Sequence, residues 1–307
     1  MSPDPVDALL SVHGVPGPWE PLRATGVANR IDATQTVVLR VATDHPDAVA
    51  DALTDSIAAP VARDAGILTP RLIAFDGSRE LIDRPFSLWE RIHGETLGSV
   101  DLTPEQREGL WRAVGRELAQ LHNRVLSCPD PKGYLDRPER ELNLGPPLKR
   151  AADAGRISRS VTRATERLMD ELRPHVAVGA EVRFLHNDVH EMNVMGSSGG
   201  ALLAIIDRGD AGWGDPTLDF AGIPLDAIPC ALGGYGSHNS KQLGDCPKTR
   251  FIWDRVHIAL EDVLDGRENK LPLAECSASW IAHKHLAASP VCLPAASAAH
   301  STHGSMT

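Results

Sequence analysis

Three polar residues near the middle of the chain have a spacing that suits catalysis. His186, Asp188 and Asn193 form the pattern H-x-D-x(4)-N, and Asp207 follows fourteen residues later, at the end of the apolar run 201–206. Phosphoryl transfer needs one carboxylate beside the attacking hydroxyl, and an amide and a second carboxylate to hold metal ions on the phosphates. We therefore interpret Asp188 as a catalytic base and Asn193 and Asp207 as ligands of Mg²⁺.

Supporting roles are predicted for other residues of this region. His186 is expected to hold the loop by hydrogen bonds rather than to take part in chemistry. Asp215 precedes Pro216, which is typical of a carboxylate that caps the following helix. Asp219 is expected on the inner face of that helix, where it would brace the catalytic loop. No role is assigned to His190.

A cation for the phosphates is predicted on a strand near the N-terminus. Arg40 is the one charge in the β-branched run 36–42, and no lysine precedes Lys132. An arginine can contact phosphates and pair with a carboxylate through its planar fork. The partner expected for Arg40 is Asp55, on the helix predicted over residues 47–65.

A phosphate-covering loop is predicted between the first two strands. Gly26 and Asn29 lie in the segment 26–29, whose backbone N–H groups could contact phosphates. The segment has a single glycine, so this motif is weaker than the one around Asp188.

The elements that carry these residues indicate an α+β architecture. Residues 1–94 are rich in strand patterns with one main helix, and residues 95–270 are mostly helical. The second region contains a helix whose start is marked by Thr103 and Gln106, the two ends of a capping box. Residues 271–307 form an atypical tail without periodicity, which we interpret as disordered or poorly packed.

Composition limits the classes of function. The net charge is −10, which argues against general nucleic-acid binding. No apolar run is long enough for a membrane helix, and the N-terminus has no secretory pattern. The five cysteines include no C-x-x-C pair, so no zinc site or disulfide framework is expected. These observations predict a soluble cytoplasmic protein that contacts neither membrane nor nucleic acid.

The motifs resemble those of the aminoglycoside phosphotransferase family, over about residues 15–268. The resemblance is carried by His186, Asp188, Asn193, Asp207 and the run Gly214-Asp215-Pro216 with Asp219. It implies a bilobal protein-kinase-like fold, Mg²⁺, and ATP or GTP as phosphate donor. It also implies the roles already inferred for Asp188, Asn193 and Asp207.

The resemblance extends to the N-terminal lobe with two departures. Arg40 stands where the family has a phosphate-binding lysine, and Asp55 stands where it has the glutamate partner. Glu90 and Ile92 match the hinge, whose backbone groups would bind the nucleotide base. Arg208 stands where an aromatic residue is usual.

Three functions are compatible with these features. The first is an O-phosphotransferase that inactivates an aminoglycoside or another hydroxylated antibiotic. The second is a metabolic kinase of the same fold that acts on a sugar, a choline-like alcohol or an amino-acid alcohol. The third is a catalytically dead binding protein, which the intact Asp188, Asn193 and Asp207 disfavour.

Overall fold

The fold was obtained as a computed structural model. It describes residues 5–15, 17–22, 28–135, 137, 139–176, 181–239, 243, 246–266, 273 and 276. Gly26 lies outside the described residues, and so does almost all of the predicted tail. Leu273 and Cys276, the tail residues that are described, pack in the core of the helical region. The prediction of a disordered tail therefore stays a prediction.

The first part of the chain forms an antiparallel sheet with a helix against it. A short helix, α1 (Pro5–Val12), precedes the sheet. The strand order is β1-β2-β3-β5-β4. The strands are β1 (Glu20–Pro21), β2 (Asn29–Ala33), β3 (Val37–Ala42), β4 (Leu72–Asp76) and β5 (Phe86–Glu90). Val37, Leu39 and Val41 point from β3 into the core, so Arg40 lies on the opposite face.

Helix α2 (Ala48–Asp64) links β3 to β4 and continues through Pro60. The sequence predicts a kink or break there, because proline cannot donate to the preceding turn. Ala58 and Ala62 are fully buried beside this proline, against Leu121 and Phe184. That packing holds the last turn in place, and the helix ends before Gly66, whose φ is +83°.

The second part of the chain is mostly helical. Its helices are α3 (Pro104–Arg124), α4 (Gly145–Asp153), α5 (Arg159–Val176), α6 (Ile228–Asn239) and α7 (Pro247–Asp265). The predicted capping box at the start of α3 is confirmed, because Thr103 and Gln106 exchange side-chain-to-backbone hydrogen bonds of 3.3 and 2.9 Å. Within the described ranges, no helix has the length and apolar character to span a membrane.

Helices α3 and α6 touch through their backbones. A Cβ atom added at Gly115 would lie 1.9 Å from the carbonyl oxygen of Ala231, and one added at Gly234 would lie 1.9 Å from that of Arg112. Only glycine permits such an approach. This contact sets the position of α3 and of the side chains that its last turn carries toward the loop 186–193.

Two small sheets hold the segments that carry the motifs. Strand β7 pairs with β10, and strand β8 lies between β6 and β9. The strands are β6 (Glu95–Thr96), β7 (Arg183–Leu185), β8 (Val194–Gly196), β9 (Leu202–Ile205) and β10 (Gly212–Gly214). The loop 186–193 connects β7 to β8, and Asp207 follows β9. A 3₁₀ helix (Pro216–Phe220) comes after β10.

The described cysteines depart from expectation at one position. Cys246 is in a disulfide, whereas the cysteine spacing predicts no disulfide framework. Cys128, Cys230 and Cys276 are free thiols.

Candidate active site

Asp219 anchors the start of the loop 186–193. Its fully buried carboxylate accepts hydrogen bonds from the amides of His186 (3.1 Å) and Asn187 (2.5 Å). His122 Nε2 lies 2.8 Å from the same carboxylate, and His122 Nδ1 lies 2.9 Å from the Tyr235 hydroxyl. Burial alone would raise the pKa of Asp219, but the hydrogen bonds from His122 and from the Asn187 amide contribute to an opposing effect that lowers the pKa.

His122 is a site residue that the sequence analysis missed. It lies in the last turn of α3, on the same buried face as Leu118 and Leu121. A histidine among apolar residues at helical spacing was the available signal. A buried polar side chain requires a partner, but the sequence does not reveal that the partner is Asp219.

His186 braces the loop with both ring nitrogens. Nδ1 accepts from the Asp188 amide at 3.4 Å, and Nε2 donates to the Ile206 carbonyl at 3.0 Å. The ring is fully buried, and burial, reinforced by the Arg208 charge, lowers its pKa to about 4. His186 is therefore neutral at pH 7, and its geometry joins the loop to the segment that carries Asp207.

Asp188 and Asn193 contact each other directly. The Asn193 side-chain nitrogen donates to the Asp188 carbonyl oxygen (2.9 Å) and to Oδ2 of the Asp188 carboxylate (2.7 Å). Both amide hydrogens are thus used, and among the described residues no side chain or amide donates to the amide oxygen of Asn193, which can therefore act as an acceptor. Asn193 is buried, whereas the Asp188 side chain is 41% exposed. Asp188 is accordingly the member of the pair that a bound molecule could reach.

Arg40 joins the sheet to the second part of the chain. Its Nη1 lies 2.8 Å from Oδ2 of Asp55, and its Nη2 lies 2.7 Å from Oδ1 of Asp207. The sequence predicted the pair with Asp55 but not the second contact. Asp207 adopts a φ of +64°, which is unusual for a residue other than glycine. The guanidinium therefore spans the junction where Asp188, Asn193 and Asp207 also lie.

The two carboxylates that bind Arg40 respond differently to it. Burial is the largest influence on Asp55 and raises its pKa to about 6, although Arg40 opposes this. Burial also favours a higher pKa for Asp207, but Arg40 outweighs it and holds that pKa below its usual value. The difference follows from depth, because the Asp55 side chain is 6% exposed and that of Asp207 is 41% exposed. Asp207 is thus the ionised carboxylate that is accessible to a cation.

Arg208 packs inward from the residue next to Asp207. It is 1% exposed, and its amide donates to Oδ1 of Asp55 at 3.2 Å. Burial lowers its pKa to about 10, while the charges of Asp55, Asp219 and Glu117 raise it. The side chain thus remains cationic at pH 7. In place of the aromatic residue expected here, the structure has a buried positive charge among three carboxylates.

Asp215 connects the site to the loop before α4. Its carboxylate caps the 3₁₀ helix by accepting from the Thr217 amide at 2.9 Å. It also lies 2.9 Å from Arg140 Nη1, and Arg140 makes two further contacts with Asp254, at 2.6 and 2.8 Å. Arg140, which the sequence analysis did not single out, thereby ties the loop to α7.

The remaining predicted residues lie away from these contacts. Asn29 begins β2 and pairs with Ala42. Glu90 ends β5, and its side chain is engaged by Arg63 at 3.3 Å. Ile92 follows, and within the described ranges its amide donates to no backbone carbonyl. The Glu90 amide donates to the Arg71 carbonyl at 2.9 Å, and the Ile92 carbonyl accepts from the Gly94 amide at 3.2 Å, so the hinge role of Glu90 and Ile92 stays a prediction. In the described part of the chain, no hydrogen bond joins Asn29 to the loop 186–193.

The oxygen donors at this junction suit a hard cation that is shared with phosphates. Among the described residues, no three histidine, cysteine, aspartate or glutamate side chains form a metal-binding group. Asp207 and Asn193 offer one carboxylate and one amide oxygen. Mg²⁺ in phosphoryl-transfer enzymes typically takes one or two such protein ligands and completes its shell with phosphate and water.

Comparison with known proteins gives the family. The model of the phosphotransferase enzyme family (APH) matches residues 21–230, which include every element of the site described above except α7 and most of α6. The chain belongs to this family. It is therefore a phosphotransferase-family protein with a kinase-like fold, as the motifs predicted. No curated protein matches it in sequence.

Solved structures of two phosphotransferases and of a kinase-family protein share its fold at low sequence identity. The GDP complex of aminoglycoside 2'-phosphotransferase-IIIa has a TM-score of 0.62 and 15% identity, with 92% of this chain and 97% of that chain covered. Macrolide 2'-phosphotransferase MphH from Brachybacterium faecium has a TM-score of 0.58 and 16% identity, with 90% of this chain and 98% of that chain covered. A choline/ethanolamine kinase family protein from Mesorhizobium loti has a TM-score of 0.57 and 15% identity, with 94% of this chain and 96% of that chain covered. They support the predicted bilobal α+β fold.

Proposed function

We propose that this phosphotransferase moves the γ-phosphate of ATP or GTP to a hydroxyl group of a small molecule. The observation that carries the proposal is the convergence of Asp188, Asn193 and the Arg40–Asp207 pair at the junction of the two regions. A reachable carboxylate, two oxygen donors for a cation and an arginine are the groups that phosphoryl transfer requires.

In the proposed reaction the acceptor hydroxyl oxygen forms a bond to the γ-phosphorus, while the bond from that phosphorus to the β,γ-bridging oxygen breaks. The hydroxyl proton passes to the carboxylate of Asp188, and the nucleoside diphosphate leaves. Asn193 and Asp207 would hold Mg²⁺, which neutralises charge on the phosphates when bound. Arg40 adds a second positive charge from the sheet, and Glu90 and Ile92 would receive the base through their backbones.

For the acceptor, we propose a hydroxylated antibiotic, so that the reaction would confer resistance. The support is the likeness to enzymes named for aminoglycosides and a macrolide. A metabolic alcohol is the second candidate, because a choline/ethanolamine kinase family protein is similar to the same extent. The net charge of −10 is compatible with a cationic acceptor of either kind. We expect the protein to act in the cytoplasm.

A screen with labelled nucleotide tests this function. ATP and GTP, each with Mg²⁺, would be incubated with aminoglycosides, macrolides, choline-like alcohols and sugars. Asp188→Asn should reduce transfer by at least about 100-fold, since general-base catalysis contributes at least that much. Asp83→Asn is a matched control, because Asp83 is an exposed carboxylate in the β4–β5 loop.

The outcomes of the screen separate the candidates. Transfer to an antibiotic, with reduced susceptibility of cells that express the protein, supports the resistance function. Transfer only to a metabolic alcohol replaces it with the second candidate. Equal background nucleotide hydrolysis by wild type and Asp188→Asn, without transfer to any acceptor, would exclude phosphotransferase activity and leave a binding protein.

A further inference from the structure

His190 lies two residues after Asp188 in the same loop, and its ring contacts the Asp188 carboxylate. It is 37% exposed, and its Nε2 lies 3.3 Å from Oδ2 of Asp188. The sequence analysis assigned it no role. Its two ring nitrogens have different surroundings, and these surroundings determine what the ring can do.

The protonation of the His190 ring follows from its backbone contact. Nδ1 accepts a hydrogen bond from the Met192 amide at 3.1 Å. An amide N–H can only donate, so Nδ1 must present its lone pair there. The hydrogen of the neutral ring is therefore on Nε2, the nitrogen that faces Asp188. One ring nitrogen is held by the loop, and the other presents a donor to the carboxylate.

His190 Nε2 contacts the Asp188 oxygen that already accepts a hydrogen bond from Asn193. Oδ2 of Asp188 accepts from the Asn193 side chain at 2.7 Å, and His190 Nε2 lies 3.3 Å from the same oxygen. Within the part of the chain that the structure describes, Oδ1 of Asp188 accepts no hydrogen bond. The hydrogen bond from Asn193 and the 3.3 Å contact of His190 Nε2 thus meet on Oδ2, which restrains the plane of an otherwise exposed carboxylate and leaves Oδ1 available.

We propose that His190 is a positioning residue, which orients Asp188 so that Oδ1 receives the proton of the acceptor hydroxyl. The proposal rests on the function proposed above. His190 keeps its own hydrogen throughout, since the proton moves from the hydroxyl to Oδ1 alone. Orientation matters here because phosphoryl transfer depends on placing the nucleophile in line more than on a strong base.

Two substitutions separate the two contacts of the ring. His190→Asn places an amide oxygen near the position of Nδ1, so it can still accept from the Met192 amide but presents no donor to Asp188. His190→Gln places an amide nitrogen near the position of Nε2, so it keeps the donor to Asp188. His190→Leu removes both contacts and is the reference for complete loss.

The expected kinetic result is a change in kcat without a change in KM. His190→Asn and His190→Leu should lower kcat by about 10- to 100-fold, as the loss of an orienting partner typically does. His190→Gln should stay within about threefold of wild type by the same reasoning. The KM values for nucleotide and acceptor should be unchanged. The proposal would be overturned if His190→Asn were as active as His190→Gln, or if the substitutions raised KM and left kcat unchanged.

A second measurement does not need an acceptor. In protein labelled with ¹⁵N-histidine, long-range ¹H–¹⁵N spectra distinguish the two neutral ring forms, and His190→Gln identifies the His190 signals. The expected form carries its hydrogen on Nε2, and Asp188→Ala should shift that nitrogen signal while leaving His186 in its Nε2–H form. An Nδ1–H form, or no response to Asp188→Ala, overturns the role of His190. Absence of any phosphorylated acceptor would instead count against the proposed function.

Discussion

Alanine substitutions at adjacent glycines of α6 should have opposite effects on stability. A Cβ at Gly234 would lie 1.9 Å from the Arg112 carbonyl oxygen, whereas a Cβ at Gly233 meets nothing within 4 Å. Real Cβ atoms do not approach closer than 3.0 Å, so α3 and α6 must separate by about 1.1 Å (3.0 minus 1.9) to admit Gly234→Ala.

The magnitude follows from two opposing terms. Replacing glycine by alanine in an exposed helix stabilises it by about 1 kcal/mol, and only this term applies to Gly233→Ala. At Gly234 the clash is with backbone, which cannot rotate away, and overpacking of this kind costs about 1–3 kcal/mol or more. The propensity term is common to both variants, so they should differ by the overpacking term, roughly 1–3 kcal/mol in unfolding free energy, or roughly 2–12 °C in Tm.

Helix α3 offers the same comparison from the other side. Gly115→Ala would bring a Cβ within 1.9 Å of the Ala231 carbonyl oxygen, while Gly109 is open. Because Gly115→Ala and Gly234→Ala force the same separation of the helices, their combined effect should be smaller than their sum.

Thermal and urea unfolding followed by circular dichroism would measure these differences. Gly109→Ala and Gly233→Ala serve as the matched controls on the same two helices. If Gly234→Ala were as stable as Gly233→Ala, the close contact of α3 and α6 would be wrong. The position of α3 relative to the catalytic loop would then also need revision.

Three further predictions concern the charged residues of the site. Arg40→Lys should weaken binding of Mg²⁺-nucleotide by about 10-fold or more, measured by calorimetry, because a single ammonium cannot reproduce the two-sided contact of the guanidinium. His186 has a pKa lowered to about 4, so the unfolded chain binds its proton more tightly and stability is lost as pH falls from about 6.5 toward 4. His186→Gln should flatten this loss in urea unfolding at pH 7 and pH 4.5. Arg140→Ala should lower the unfolding free energy by about 3–5 kcal/mol, because it leaves Asp215 and Asp254 without their shared partner.

Each of these predictions has an outcome that contradicts it. Wild-type nucleotide affinity in Arg40→Lys would show that one of the two carboxylate contacts is dispensable. If His186→Gln lost as much stability between pH 7 and pH 4.5 as the wild type does, this ring would not be held neutral in the folded protein. An unfolding free energy of Arg140→Ala equal to that of wild type would mean that the contacts of Arg140 with Asp215 and Asp254 do not stabilise the fold.

The sequence by itself determined the phosphotransferase family and the local elements. The spacing of His186, Asp188 and Asn193 marks a single loop, and the capping box of Thr103 and Gln106 marks the start of a helix. Such signals are readable because they depend on residues within a few positions of one another. The alternation of β3 likewise separated Arg40 from its buried neighbours.

The tertiary structure alone decided how these parts meet. Arg40 and Asp207 are 167 positions apart and touch at 2.7 Å, and His122 reaches Asp219 from another helix. The continuation of α2 through Pro60 also depends on packing that local propensity does not contain. Partners of buried charges are chosen by the fold, since any nearby carboxylate could have satisfied the same arginine or histidine. Sequence patterns therefore predicted a candidate catalytic loop, while the arrangement of charges around it required the three-dimensional structure.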